Sequence, residues 1–403
     1  MTSTCDVLIV GGGLVGSSLA CALDAMGLIA RVVEAAPARR VERSWDERHF
    51  VLTRTSIEAL DRLGVWQLAR REAVPVQAVH VTGVGDFGSV RLLAAEFGLD
   101  AFGATLPARV LGEALVSRVS ALPGVTLEAG RLIGLAPTAD AVLATIDRDG
   151  GTHTVAAKLV VGADGTDSAV RKLIEVDVER VDYGQTAIVS VLALGRPHQG
   201  IAHERMTAAG PFALLPLAGD RAGVVWALPH AEAKSHLDLD DSAFLAAAQQ
   251  VFGYRLGRFA RVGRRQPWPL SRQMATRLFA QRAVLVGNAA QTIHPVGAQG
   301  FNLGLRDAVA LATRLAAVGG DPGDQDLLAA HARSRATDRE RTIAWTESLL
   351  RGFARTGPLS RFGRSAALLG LDAQSALKRD LAFGLMGQLD DAGVTAMPRA
   401  AGT

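Results

Sequence analysis

Cysteine is nearly absent: Cys5 and Cys21 are the only two in 403 residues. That excludes a disulfide framework and points to a reducing, cytoplasmic setting. Lysine is almost as scarce. Only Lys158, Lys172, Lys234 and Lys378 occur, so 39 of the 43 cations are arginine, and they are scattered. With a net charge of only +3 and no basic tail, the chain has little long-range pull on a phosphate backbone, and no nucleic-acid partner is expected. No apolar run approaches the ~18 residues of a membrane span. The stretch 7–22 superficially resembles the core of an export signal. It has no basic residue before it, follows Asp6, and carries Gly11, Gly12 and Gly13 where such a signal wants a continuous helix. The nine histidines show no metal-ligand spacing with cysteine or acidic residues, so no metal site is expected.

What is present is ordinary globular material, 49% hydrophobic and 21% charged, long enough for about two domains with unstapled cores. The pattern predicts a strand over 6–10, a glycine turn, a helix over 14–26 and a second strand over 30–33 ending at Glu34, which is a βαβ unit. Residues 77–93 alternate as strands do and suggest an excursion into another sheet. Helical spacing returns over 108–122, with short strands near 125–128, 142–147 and 159–161. Between about 181 and 228 the chain is β-rich, with strands expected over 187–194, 212–217 and 222–228. A further strand at 283–286 runs into a glycine turn and a helix near 303–317, and the chain beyond 324 reads as helical. The expected fold is α/β with an α+β second domain. A discontinuous Rossmann-like domain covers 1–72, 104–178 and 276–345, a β-rich domain covers 73–103 and 179–275, and a helical segment covers 346–403.

Three motifs carry chemistry. The first, Gly11-Gly12-Gly13-Leu14-Val15-Gly16, is a GxGxxG at the strand-to-helix turn with Glu34 ending the next strand. Gly11 permits the tight turn, Gly13 lets backbone approach a pyrophosphate at the helix N-terminus, and Gly16 lets helix and strand pack closely. Glu34 can accept from a ribose hydroxyl. The second is Gly162-Ala163-Asp164-Gly165-Thr166-Asp167-Ser168, followed by Arg171. The third is GNAAQTIHP over 287–295, continuing through QGFNLGLRD to Asp307.

In this order and spacing the three motifs resemble the aromatic-hydroxylase family of single-component flavoprotein monooxygenases, and the resemblance spans nearly the whole chain. The GNAAQTIHP and QGFNLGLRD runs, with DERHFVLTRTSIEALDRLGVW over 46–66, resemble the ubiquinone-biosynthesis hydroxylases, above all their 2-polyprenyl-6-methoxyphenol hydroxylase branch. The resemblance implies FAD as bound cofactor, NADPH or NADH as co-substrate, O2 as oxidant and a polyprenylated phenol as substrate. It implies further that Glu34 holds the adenosine ribose, that Arg48 and Arg109 reach the flavin nucleotide, and that Asp164 lies in a motif contacting flavin and pyridine nucleotide. Asn288 stands where most relatives carry an aspartate on the ribityl chain, and an asparagine carbonyl can accept the same bond. Pro295, Gly300 and Asn302 are implied to sit against the isoalloxazine. Ala298 departs from the pattern by replacing a glycine, with Gly297 displaced by one.

No protein nucleophile is required. His294, beside Pro295, is the tempting catalytic candidate, against the plainer reading of a loop histidine bonded to backbone. Phe212, Leu214, Leu215, Pro216 and Trp226 are candidates for an apolar pocket, and equally for ordinary sheet core. Over 359–386, Phe362, Ala366, Leu369, Ala373, Leu377, Leu381 and Leu385 recur every three or four residues near Arg361, Arg364, Lys378 and Arg379. That stripe suits either peripheral contact with the inner face of a membrane or packing against the flavin domain. Flavin halogenases share the frame but carry WxWxIP, whose first Trp is missing at Val224-Val225-Trp226-Ala227-Leu228-Pro229. Hydroxylation at another ring position, another aromatic substrate, and a non-catalytic flavin-holding subunit among other ubiquinone-biosynthesis proteins remain open alternatives.

Overall fold

Aliphatic residues fill the first strand, Ser3–Val10, whose last four side chains are buried, and this strand becomes the centre of a largely parallel sheet. The computed structural model describes residues 3–36, 48–148, 150–354 and 357–386. Asp46 and Glu47 of the early motif lie outside the described residues. Ser3–Val10 pairs in parallel with Ala30–Glu34 on one side and Gly151–Gly162 on the other. Val125–Ala129 extends the sheet beyond the former and Ala283–Leu285 beyond the latter, again in parallel. In chain order these five strands lie 3-2-1-4-5, the doubly wound order whose ligands sit at the carboxyl ends of the strands. Val142–Arg148 attaches antiparallel to the first half of Gly151–Gly162, and Arg131–Pro137 attaches antiparallel to Val142–Arg148. Cys21 is buried in the helix Leu14–Ala25 and Cys5 is half-buried. Burial pushes their thiols up to about 12 and about 11, which keeps both inert.

A second sheet has nine strands and is mostly antiparallel. Its long spine is Val178–Ala193, flanked by Gln266–Ala275 and Arg221–Pro229. Outward from the latter come Pro211–Leu217, Ile201–Met206, Ala78–Gly83 and Ser89–Leu93, so the alternating stretch 77–93 does enter this sheet. The helices His230–Leu237 and Asp241–Phe252 cover one face, where Phe212, Leu214, Val224 and Trp226 meet Phe244 and Phe252. For three of the pocket candidates the sheet-core reading holds. Phe212, Leu214 and Trp226 are core under these helices, and period-two alternation turns their neighbours Ala213 and Val225 to the opposite face.

A small sheet of His49–Thr53, Gly103–Pro107 and Val74–Val76 lies between the two larger ones. Thr105 Oγ1 in it donates to the Pro216 carbonyl of the nine-stranded sheet.

The C-terminal stripe is corrected. The helix Gln325–Ala354 runs unbroken through residue 345, and the amphipathic stretch divides at Gln374 into Pro358–Ala373 and Ser375–Met386. Phe362, Ala366, Leu369, Ala373 and Leu377 are exposed, whereas Ser365, Leu368 and Ala382 are buried. The side chain of Leu385 lies outside the described residues. These helices pack on the edge strand Ser89–Leu93 of the nine-stranded sheet, not on the parallel one. Val90, Leu92 and Phe102 meet Phe353 and Leu368 there. Asp372 accepts from the Arg91 N–H, and Arg364 pairs with the buried Asp86. An otherwise open sheet edge is thereby capped.

Candidate active site

The glycine turn is shaped by close backbone approach. Gly11 has φ +102°, and a Cβ there would lie 2.5 Å from the Ala163 carbonyl oxygen, while one on Gly16 would lie 1.9 Å from that of Gly11. The first and second motifs therefore touch directly. Gly13 caps the helix Leu14–Ala25 with ordinary extended angles, and a Cβ on it would meet nothing within 4 Å. Gly300, in the first turn of the helix Gln299–Val318, likewise faces open space. Packing demands glycine at Gly11 and Gly16 but at neither Gly13 nor Gly300. The open positions sit at two helix N-termini, where N–H groups and the helix dipole favour anionic groups.

The third motif is tied to both others. Arg171 Nη1 donates to the Ala289 carbonyl at 2.9 Å and its Nη2 to the Thr166 carbonyl at 2.7 Å. Thr166 and Thr292 share a hydroxyl hydrogen bond. Val15 packs where a Cβ on Gly287 or Gly304 would fall. Gln291–Thr292 then pairs with Gln266–Ala275, joining this loop to the nine-stranded sheet.

The residues singled out from sequence divide into three groups. Glu34 closes on the glycine turn, accepting from the N–H of Gly12 at 2.6 Å and of Ala36 at 2.8 Å; its remaining lone pairs stay available. Asp164 uses Oδ2 to accept from the N–H groups of Ala169 and Val170, while its Oδ1 is buried without a partner. Asn288 and Pro295 are exposed. In the second group, Arg48 stacks over Phe50 and Trp268, and Arg109 pairs with Glu72 and Glu113. The third is Asn302, which is fully buried. Its Nδ2 donates to the Val51 and Ala298 carbonyls and its Oδ1 accepts from the Thr53 N–H. Asn302 thus clamps the strand His49–Thr53 to the long helix, with both amide hydrogens and one oxygen lone pair engaged.

His294 is buried. Its Nδ1 accepts from the Val296 N–H at 3.1 Å, which puts the ring proton on Nε2, an atom that is buried and unpartnered. Burial lowers its pKa to about 4, so the ring is neutral near pH 7. The Tyr183 ring lies edge-on to it at 5.1 Å. Gly297 and Ala298 both adopt left-handed angles, φ +69° and +53°. The departure at Ala298 therefore sits on a conformation that glycine takes freely. An Ala298→Gly exchange should shift the melting midpoint by no more than about 3 °C, because relief of that strain and the added unfolded-state freedom oppose each other at ~1 kcal/mol each. Differential scanning fluorimetry reads this directly.

Beneath the third motif lies an ion network that local sequence does not announce. Asp307 accepts from the Gly287 N–H, from Gln291 Nε2 and from Arg335 Nε. Asp338 accepts from Arg306 and Arg335. Arg306 lies 32 residues from Asp338 and Asp307 lies 28 from Arg335, and the local signal is the spacing of Arg335 and Asp338 on one helix face. Among the described residues no group of His, Cys, Asp or Glu could hold a metal ion. None of their helices is long and apolar enough to cross a membrane.

A family model described as an FAD binding domain matches residues 4–346. The chain is 37% identical over 389 residues to the ubiquinone hydroxylase UbiL of Rhodospirillum rubrum, covering 95% of this chain and 90% of that one. It is 32% identical over 386 residues to the 3-demethoxyubiquinol 3-hydroxylase of Escherichia coli, covering 93% and 96%. The chain belongs to the FAD-dependent hydroxylases of ubiquinone biosynthesis. This hydroxylase shares its fold with p-nitrophenol 4-monooxygenase PnpA of Pseudomonas putida, at a TM-score of 0.79, 19% identity and coverage of 96% and 99%. It is an FAD-dependent monooxygenase. The close approach at Gly11 and Gly16, the open space over Gly13 and Gly300, and the unpartnered Asp164 Oδ1 fit FAD.

Proposed function

We propose that this hydroxylase uses NADPH or NADH and O2 to hydroxylate the ring of a polyprenylated phenol, converting 2-polyprenyl-6-methoxyphenol to the 1,4-benzoquinol. The observation that carries this reading is the face of the nine-stranded sheet opposite the helices His230–Leu237 and Asp241–Phe252. There Ala187, Ala227, Val189 and Val225 cluster with Tyr183, which meets His294 of the third motif. An uncharged aromatic ring suits such a face, and the water it excludes would otherwise divert the oxidant to peroxide. A cavity of about 600 Å3, whose lining combines Val84, Phe87, Met206, Phe353 and Phe362 with Arg361 and Arg364, offers apolar wall for a tail.

When bound, FAD supplies the one-electron chemistry that lets O2 react with a closed-shell ring. In this reading the chain holds the cofactor. Gly11, Gly13 and Gly16 cradle the pyrophosphate, and Glu34 takes the ribose. Arg48 and Arg109 reach the nucleotide, Asp164 and Asn288 reach the ribityl side, and Pro295 and Gly300 border the ring. Asn302 and Asp307 keep these loops in place. The exposed Leu359, Phe362, Leu369 and Leu377 suit collection of the substrate from a bilayer, with serine at all four expected to lower liposome co-sedimentation severalfold.

A second reading is favoured by the 32% identical relative named 3-demethoxyubiquinol 3-hydroxylase: the same chemistry at another ring carbon. Mass spectrometry of quinone intermediates after deletion and restoration of the gene separates the two. Accumulated polyprenyl-methoxyphenol supports the first reading, an accumulated demethoxyquinone the second, and normal quinone with no intermediate contradicts both.

A further inference from the structure

One carboxyl on the face of the nine-stranded sheet opposite its two helices has a buried oxygen without a partner. Glu204 sits mid-strand in Ile201–Met206, between Val81 and Ala213. Its sequence neighbours point the other way. His203 packs edge-on to Phe252, and Arg205 Nε donates to the Val251 carbonyl at 2.6 Å, both in the helix Asp241–Phe252. Alternation therefore turns Glu204 to the face of Ala213, Val225 and Val189, the face that reaches His294 through Tyr183. Two residues further along the same face, Met206 lines the 600 Å3 cavity. Glu204 thus shares a face with Tyr183, which touches the flavin loop, and with Met206, which lines the cavity, and its Oε1 is buried without a hydrogen bond.

A carboxyl kept for stability would be paired, because an unpartnered buried one is costly. Burial pushes this group up to about 7, which leaves it able both to take and to return a proton near neutrality.

We propose that Glu204 is a catalytic base that accepts the phenolic proton of the substrate through Oε1; this rests on the phenol reading above. The phenol O–H bond breaks, the Glu204 O–H bond forms, and the electron pair left on the phenolate oxygen enriches the ring carbons ortho and para to it. The enriched carbon would bond to one oxygen atom of O2 as the O–O bond breaks, the other atom leaving as water with the two electrons that NADH supplies through FAD. When that carbon releases its hydrogen as a proton to solvent, Glu204 returns its own proton to the phenolate oxygen, so the residue ends as it began.

The test uses the FAD-loaded full chain with NADH, air and 2-prenylphenol, with product counted by liquid chromatography and mass spectrometry. Glu204→Gln should lower kcat for product at least tenfold with KM changed less than threefold. Its melting midpoint should be no lower than that of the wild type. A ring-fluorinated 2-prenylphenol, whose hydroxyl is more acidic, should shrink the deficit at least fivefold, an effect a merely structural role does not produce. Product formation by Glu204→Gln at the wild-type rate, or an equal deficit on both phenols, overturns the base while leaving the phenol reading intact. Oxidation of NADH by the wild type without any hydroxylated phenol overturns the reading and the base together.

Discussion

Gly13→Asp should yield a folded protein that has lost FAD. The substitution suits the helix: Gly13 is its N-cap, makes no side-chain capping bond, has φ −67°, and offers open space for a Cβ. Aspartate is among the preferred N-cap residues and should leave the melting midpoint unchanged or slightly higher. The same carboxylate would stand where the cofactor's pyrophosphate must come, and like charges ~4 Å apart repel by a few kcal/mol at a partly wet site. FAD affinity should fall at least 100-fold, or about 2.7 kcal/mol, read by flavin absorbance after purification and by FAD titration. Gly16→Ala is the contrasting case. Its Cβ would lie 1.9 Å from the Gly11 carbonyl oxygen, so folding itself should fail. A Gly13→Asp protein that retains FAD would contradict the placement of the cofactor.

Among changes that still leave a folded protein, Asp338→Ala should cost the most stability. The carboxylate is fully buried and holds Arg306 and Arg335 together. Without it two guanidinium groups stay buried with too few partners, a change of about 3–5 kcal/mol and a large part of a typical domain's stability. Urea denaturation of variant and wild type reads the difference. Burial alone would raise the Asp338 carboxyl, but Arg306 and Arg335 outweigh it and hold it below its ordinary value. Its contribution is therefore fully present above the unfolded pKa of about 3.9 and disappears as pH falls through the folded value. Glu204 has the opposite sign. Its folded pKa is raised to about 7, so it costs nothing in strong acid, and the penalty grows with pH until it is complete above that value. Glu204→Gln should therefore gain up to about 3 kcal/mol at pH 8 and nothing at pH 4.

Much of the cofactor frame could be read from the chain because its signals are local. The turn at 11–16, the acid at Glu34 and the strand before Asp164 are set by a few neighbouring residues, and the structure joins them as the spacing suggested. The nine-stranded sheet was only partly legible. Gln266–Ala275 carries Pro267 and Pro269, which argue against a central strand, and it is held by Val178–Ala193, some ninety residues away. The facing of Phe212 and Trp226 could not be read either, because alternation gives two faces but not which one two later helices will cover. The packing partner of the C-terminal stripe was hidden for the same reason. Spacing identified helices, whereas the choice of buried face was made by Asp86, Arg91 and Val90, far off in sequence. Asn302 was legible as a motif residue, but its role of clamping Val51 and Thr53 depends on a strand some 250 residues earlier.

The most direct test of the central claim is isotopic. The purified FAD-loaded enzyme is given NADH and 2-prenylphenol under 18O2, then under 16O2 in H218O, and the hydroxylated ring product is weighed by mass spectrometry. A hydroxylase of this kind gives product heavier by two mass units under 18O2 and unlabelled product from labelled water. Product that takes its new oxygen from water, or that forms equally without O2, would contradict the account.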